Sequence, residues 1–129
     1  MQGTISRRLW AKAGAERIPL TGAFELFPIC NFACKMCYVR KSRAEVEKAG
    51  GLMDGKRWLE IAEDAAKCGL LFPLLTGGEP FLYEDFQEVF AGMQDLGMQV
   101  SINSNASRID QNMARWLGRH TPTRINITL

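Results

Sequence analysis

The sequence predicts an α/β fold built on a parallel sheet, and three observations carry that prediction. Short apolar runs alternate with longer polar-and-apolar segments along the chain. The longer segments repeat their apolar residues at i, i+3, i+4 and i+7, the spacing of one buried helical stripe. Single glycines stand where those stripes end, as helix stop signals. Strand–helix alternation of this kind implies parallel strands joined by right-handed crossovers.

Residues 1–19 read as a helical or irregular lead-in, with Arg7, Arg8, Lys12 and Glu16 around a few apolar residues. Residues 20–129 read as one core domain. Its first strand is Ala23 to Pro28, and residues 38 to 52, charged and then Gly-rich, read as a loop. A helix from Asp54 to Lys67 carries Trp58, Ile61, Ala62 and Ala65 on one face and stops at Gly69. Leu70 to Leu75 is a buried strand, weakened by Pro73, which cannot donate to a ladder. A turn, Thr76-Gly77-Gly78-Glu79-Pro80, follows. The second helix, Glu84 to Leu96, repeats the stripe with Phe86, Val89, Phe90 and Met93 and ends at Gly97. Met98 to Asn103 is the third strand. Ser107 and Asp110 suggest a capping box for a third helix bearing Ile109, Met113, Trp116 and Leu117. Arg124 to Leu129 alternates apolar and polar residues and reads as a fourth strand. A chain stopping on a strand leaves an edge unpaired, so a fragment, or a cover for that edge from elsewhere, is expected.

A length of 129 residues fits one domain, and 47% apolar with 23% charged residues suits a soluble globular chain. A net charge of +2 calls for neither nucleic acid nor an anionic membrane as partner. No signal-peptide h-region follows the basic N-terminus, and the longest apolar stretch, Leu70 to Leu75, is too short to cross a bilayer. A cytoplasmic, reducing setting is therefore expected. Clustered cysteines there point to a metal or redox role rather than disulfides.

Three of the four cysteines, Cys30, Cys34 and Cys37, lie within eight residues, directly after the first strand. Thiolates are the usual ligands of iron–sulfur clusters. Three on one loop can wrap a cubane and leave its fourth iron without a protein ligand, the open position that marks a catalytic rather than a structural metal. Lys35, Arg40, Lys41 and Arg43 surround the loop with positive charge, which favours thiolate over thiol; a plain solvated basic face is the simpler reading of them. The spacing differs from the four-cysteine ferredoxin run and from the paired knuckles of structural zinc. A zinc site recruiting Cys68 or His120 is the competing reading, although Cys68 reads as a small buried hydrophobe and His120 as structural or exposed.

Gly77-Gly78-Glu79-Pro80 follows the second strand. Two glycines let a backbone approach a ligand closely, and parallel α/β sheets bind ligands at the carboxyl ends of their strands. The cysteine loop and this turn should therefore face one site, with Glu79 adding a carboxylate.

Cys-x3-Cys-x2-Cys after the first strand, followed by Gly-Gly-Glu-Pro after the second, resembles the radical SAM superfamily over roughly residues 20 to 129. The resemblance implies an incomplete parallel (β/α) barrel, about four strands and three to four helices here. It implies a [4Fe–4S] cluster on Cys30, Cys34 and Cys37, with S-adenosylmethionine chelating the fourth iron through its amino and carboxylate groups. It places Gly77, Gly78, Glu79 and Pro80 at that amino group. Met36, with Tyr38 just beyond, stands where the family often has an aromatic residue near the adenine. Asn105 and Thr128 take strand-tip positions that often touch ribose or carboxylate. The implied reaction is reductive cleavage of S-adenosylmethionine to a 5′-deoxyadenosyl radical that abstracts hydrogen from a substrate. The electron would come from a flavodoxin- or ferredoxin-like donor. Cys-Asn-Phe-Ala-Cys-Lys-Met-Cys-Tyr is similar to members that modify peptides or proteins. No residue is assigned to acid, base or hydrogen transfer. A non-catalytic iron–sulfur module and a structural zinc domain are the competing classes.

Overall fold

The computed structural model describes residues 3–128. Its elements run α1 (Thr4–Glu16), β1 (Thr21–Phe27), α2 (Arg43–Lys48), α3 (Gly55–Lys67), β2 (Phe72–Gly77), a 3-10 turn (Pro80–Leu82), α4 (Phe86–Asp95), β3 (Ser101–Ser104), α5 (Gln111–Arg119) and β4 (Arg124–Ile127). The four strands form one parallel sheet in the order β1-β2-β3-β4. Sequential order means the chain winds in one direction only, as in a barrel, and does not reverse as in a doubly wound sheet. An incomplete (β/α) barrel, four strands long, is the result.

Phe24, Leu26, Leu75 and Ile102 point from the strands into a core completed by Ala62 of α3, by Phe86, Val89, Phe90 and Met93 of α4, and by Leu117 of α5. The four α4 side chains are at most 1% exposed, and burying a side chain of this size contributes about 1.5–3 kcal/mol. Leu59 of α3 lies where a side chain on Gly92 would have to go, so α3 and α4 pack closely. Alternate strand residues Glu25, Thr76, Asn103 and Asn126 face the other way and form one row across the open face. Asn126 there donates to Asn103 Oδ1 at 2.8 Å. Helix α1 reaches the opposite end of that face, where Trp10 stacks on Phe72 with centroids 6.1 Å apart.

Two strands begin later than expected, for one reason. Gly69, at φ 99°, closes α3, and Leu70 N–H donates back to the Ala65 carbonyl at 3.0 Å. Gly97 and Met98 close α4 identically, with Met98 N–H on the Met93 carbonyl at 3.1 Å. This Schellman closure uses the residue after the glycine, so Leu70 and Met98 finish helices and do not open strands. Pro73 is accommodated because the β2–β3 pairing begins at Leu74, beyond the residue that cannot donate.

Three further expectations are corrected. The loop at 38 to 52 contains α2, opened by a capping box: Ser42 N–H donates to Glu45 Oε2 at 2.7 Å and Glu45 N–H to Ser42 Oγ at 3.3 Å. Ser107 and Asp110 form no such box. Asp110 alone caps α5 by accepting from Met113 N–H at 2.8 Å, and Ile109 lies outside the helix. Cys68 is exposed, not buried. The expected end of the fourth strand, Leu129, lies outside the described residues.

Tyr83 ties the segment after α2 to the 3-10 turn: its hydroxyl donates to the Met53 carbonyl at 2.7 Å, with Asp85 Oδ2 3.5 Å away. Burial, then the negative charges of Asp85 and Asp54, push its pKa up to about 12 from 10.0. The unfolded chain therefore loses this proton first as pH rises, and the stability present below pH 10 drains away towards pH 12. Urea midpoints should fall between pH 9 and pH 11 more steeply in the wild type than in Tyr83→Phe. Parallel slopes would exclude this role for Tyr83.

Candidate functional site

Beyond β1 the chain is laid along the tip of β2. Gly78 N–H donates to the Phe27 carbonyl and Glu79 N–H to the Ile29 carbonyl, the latter at 3.0 Å, immediately before Cys30. Only glycine permits this approach. A Cβ on Gly77, which sits at φ 151°, would meet the Phe27 backbone, and one on Gly78 would meet the Ile29 carbonyl and the Cys30 nitrogen. The loop's far end returns to its base, Lys41 N–H donating to the Pro28 carbonyl at 2.9 Å. Within it, Cys37 N–H donates to the Cys34 carbonyl at 3.1 Å, so the last two cysteines share a turn.

Cys30, Cys34 and Cys37 line one cavity of about 290 Å³. Met36 and Tyr38 stand on its rim, about nine-tenths exposed (90% and 91%). Its floor is the carboxyl end of the sheet: Gly77 at the end of β2 with Gly78 just beyond it, Asn105 beyond β3, and Thr128 beyond β4. Phe32, Val39, Thr76, Asn103 and Ser104 also line it and were not foreseen. Thr76 and Asn103 share the open face, so counting back by twos from the strand tips would have found them.

Glu79 and Pro80 do not line the cavity; they lie buried beside it. The Glu79 carboxylate is fully enclosed. It accepts from Phe81 N–H at 3.0 Å, Ser104 Oγ at 2.9 and 3.0 Å, and Asn105 N–H at 2.8 Å. It thereby fastens the tip of β2 to the tip of β3. Burial of a carboxylate is tolerated only with such a full set of donors.

The donor chemistry fits an iron–sulfur cluster. All four cysteines are free thiols, and the three on the loop open into one cavity. Among the described residues, no three His, Cys, Asp or Glu side chains converge to hold a single metal ion. A zinc ion needs its sulfurs at about 2.3 Å from one centre, whereas a cubane takes each thiolate on a different iron. Cys68 and His120 cannot join the set. They precede β2 and β4, at the amino end of the sheet, and a six-residue strand such as β2 separates the ends by about 20 Å. His120 is half-buried and stacked on Trp116 at 4.5 Å. Around the loop, Lys35, Arg40, Lys41 and Arg43 are exposed and in no ion pair among the described residues.

Comparison with known proteins gives concordant results. The chain is 33% identical over 88 residues to the Fe-coproporphyrin III synthase of Methanosarcina barkeri, covering 68% of this chain and 21% of that protein. It is 30% identical over 89 residues to the PqqA peptide cyclase of Granulibacter bethesdensis, covering 69% and 23%. The chain thus spans between about a fifth and a third of the length of the curated relatives it matches. Its fold is similar to Streptococcus suis SuiB, solved bound to S-adenosylmethionine (TM-score 0.68, 22% identity, 96% of this chain and 27% of that chain) and bound to its precursor peptide SuiA (0.68, 24%, 93% and 26%). The profile of the Radical SAM superfamily matches residues 24–129, from within β1 through the cysteine loop, the glycine turn and all four strands, and the chain belongs to that superfamily.

Proposed function

We propose that this chain holds a [4Fe–4S] cluster on Cys30, Cys34 and Cys37 and binds S-adenosylmethionine beside it, as part of a radical enzyme that acts on a peptide or protein. The observation that carries the reading is the single cavity in which the three thiols meet the glycine turn and the tips of β3 and β4. Bound there, the two groups would supply reductive cleavage of S-adenosylmethionine for hydrogen abstraction, chemistry that belongs to the cofactors.

The chain's own residues bind, orient and shield. The backbone of Gly77 and Gly78 lies open against the cavity, suited to the cofactor's amino group. Met36 and Tyr38 supply apolar surface for the adenine, and Thr128 a hydroxyl for ribose or carboxylate. Phe32, 43% exposed on the same rim, helps keep water away. The unpaired Lys35, Arg40, Lys41 and Arg43 suit an acidic flavodoxin- or ferredoxin-like donor, because complementary charge steers encounter. A peptide substrate is supported by what the names of SuiB's partner and of the PqqA cyclase state. Reducing cytoplasm is the setting in which exposed thiols persist.

Anaerobic reconstitution tests the reading. The expected product is brown and carries about four iron and four sulfide per chain. With dithionite and S-adenosylmethionine it should release 5′-deoxyadenosine. Iron without that product would favour a non-catalytic iron–sulfur module. Zinc with no iron would refute the cluster.

A further inference from the structure

Asn105 is bound in a closed ring of hydrogen bonds that ends on a cysteine sulfur. Asn105 Nδ2 donates to Asn31 Oδ1 at 3.1 Å, Asn31 Nδ2 donates to Ser107 Oγ at 2.8 Å, and Ser107 Oγ donates to Asn105 Oδ1 at 2.6 Å. Ser107 N–H donates to the same Oδ1 at 3.0 Å. With two donors on its oxygen, the Asn105 amide has one orientation, NH2 towards the cysteine loop. An amide nitrogen carries two protons. One goes to Asn31, and the other points at Cys30 Sγ, 3.7 Å away. Phe32 N–H donates to the same sulfur at 3.4 Å. The backbone of Asn105 is held in turn by the buried Glu79 carboxylate. A link between residues 74 to 76 apart in sequence is thus built rigidly onto one of the three thiols.

We infer that Asn105 sets the reduction potential of the cluster by donating to the Cys30 sulfur, with Asn31 and Ser107 as positioning residues and Glu79 as their anchor. The inference rests on the cysteine-ligated cluster proposed above. An N–H directed at a ligand sulfur stabilises the more negative, reduced state, and hydrogen bonds to sulfur are among the determinants of cluster potential. The donor is supplied from β3 and not from the cysteine loop itself, so the potential is coupled to the sheet that also floors the cofactor cavity. This assigns the Asn105 side chain to the sulfur and not to S-adenosylmethionine.

The test is a redox titration followed by electron paramagnetic resonance. It uses wild type, Asn105→Ala, Asn105→Asp and Ser107→Ala, each reconstituted and measured without S-adenosylmethionine. All should carry iron. Asn105→Ala should disfavour reduction by about tenfold, which for one electron is 59 mV towards more negative potential. Asn105→Asp should shift it further, since it replaces a donor with a charge repelling the reduced state. Ser107→Ala, which only frees the amide to turn, should shift it less. An unchanged midpoint in both Asn105 variants overturns the inference, all the more if their affinity for S-adenosylmethionine falls instead. Loss of iron from both makes the ring a scaffold for the loop and also overturns it. A wild-type chain without iron is a different failure: it refutes the ligand assignment itself and removes the basis of this one.

Discussion

Cys34→Ala protein, reconstituted under conditions that load the wild type, should carry no [4Fe–4S] cluster, while Cys68→Ala protein should carry a full one. The contrast follows from position, because both side chains are exposed and exposed substitutions usually change stability by no more than about 0.5 kcal/mol. Cys34 opens into the cavity with two other thiols, and its backbone carbonyl receives Cys37 N–H in the turn they share. Alanine keeps that turn and removes only the sulfur, leaving two thiolates for a cubane that needs three from the protein. Cys68 caps α3 at the amino end of the sheet. Iron and sulfide assays report both results directly, and equal melting temperatures of the unloaded proteins would show that the fold is not the cause. Full iron in Cys34→Ala, or its loss in Cys68→Ala, would mean that the ligands are wrongly assigned.

The parts of the fold that were legible are those where many residues repeat one signal. Trp58 to Ala65 and Phe86 to Met93 each repeat a helical stripe, and both helices formed. What was misread turns on single residues. The helix at Arg43–Lys48 buries only Val46, so it has no stripe to detect; Ser42-x-x-Glu45 was its one signature. A similar Ser-x-x-Asp pattern stands at Ser107–Asp110, but there the Asn31–Asn105 ring engages the Ser107 hydroxyl instead. That ring joins residues far apart in sequence, and nothing local announces it. At the site, the meeting of the cysteine loop with the glycine turn in one cavity was legible, because spacing and backbone freedom are written locally. The enclosure of Glu79 was not, because only the path of β3 reveals that Ser104 and Asn105 surround its carboxylate.

Gly78→Val should cost the protein both stability and iron, although the residue is neither a cysteine nor in a left-handed conformation. The reason is what lies against it. A Cβ there meets the Ile29 carbonyl and the Cys30 nitrogen, which are backbone atoms and cannot turn aside as a side chain can. The cysteine loop must lift from the tip of β2. That breaks the Glu79 N–H bond to Ile29 and strains the Gly78 N–H bond to Phe27. Overpacking of this kind costs about 1–3 kcal/mol, and each lost backbone bond adds about 0.5–1.5 kcal/mol. Because those bonds immediately precede Cys30, the displaced loop should also fail to present its thiols together. Gly78→Ala should show the same defects in milder form. Gly118→Ala is the matched control: it lies in α5, and its Cβ would meet nothing within 4 Å. Gly118 is the second-last residue of that helix, where alanine is still tolerated better than glycine though by less than in a helix interior, so that variant should melt no lower than the wild type and load normally. Thermal melts of the unloaded proteins and iron content after reconstitution measure both effects. A Gly78→Val protein that melts with the wild type and takes up full iron would show that the loop does not depend on the glycine turn for its position.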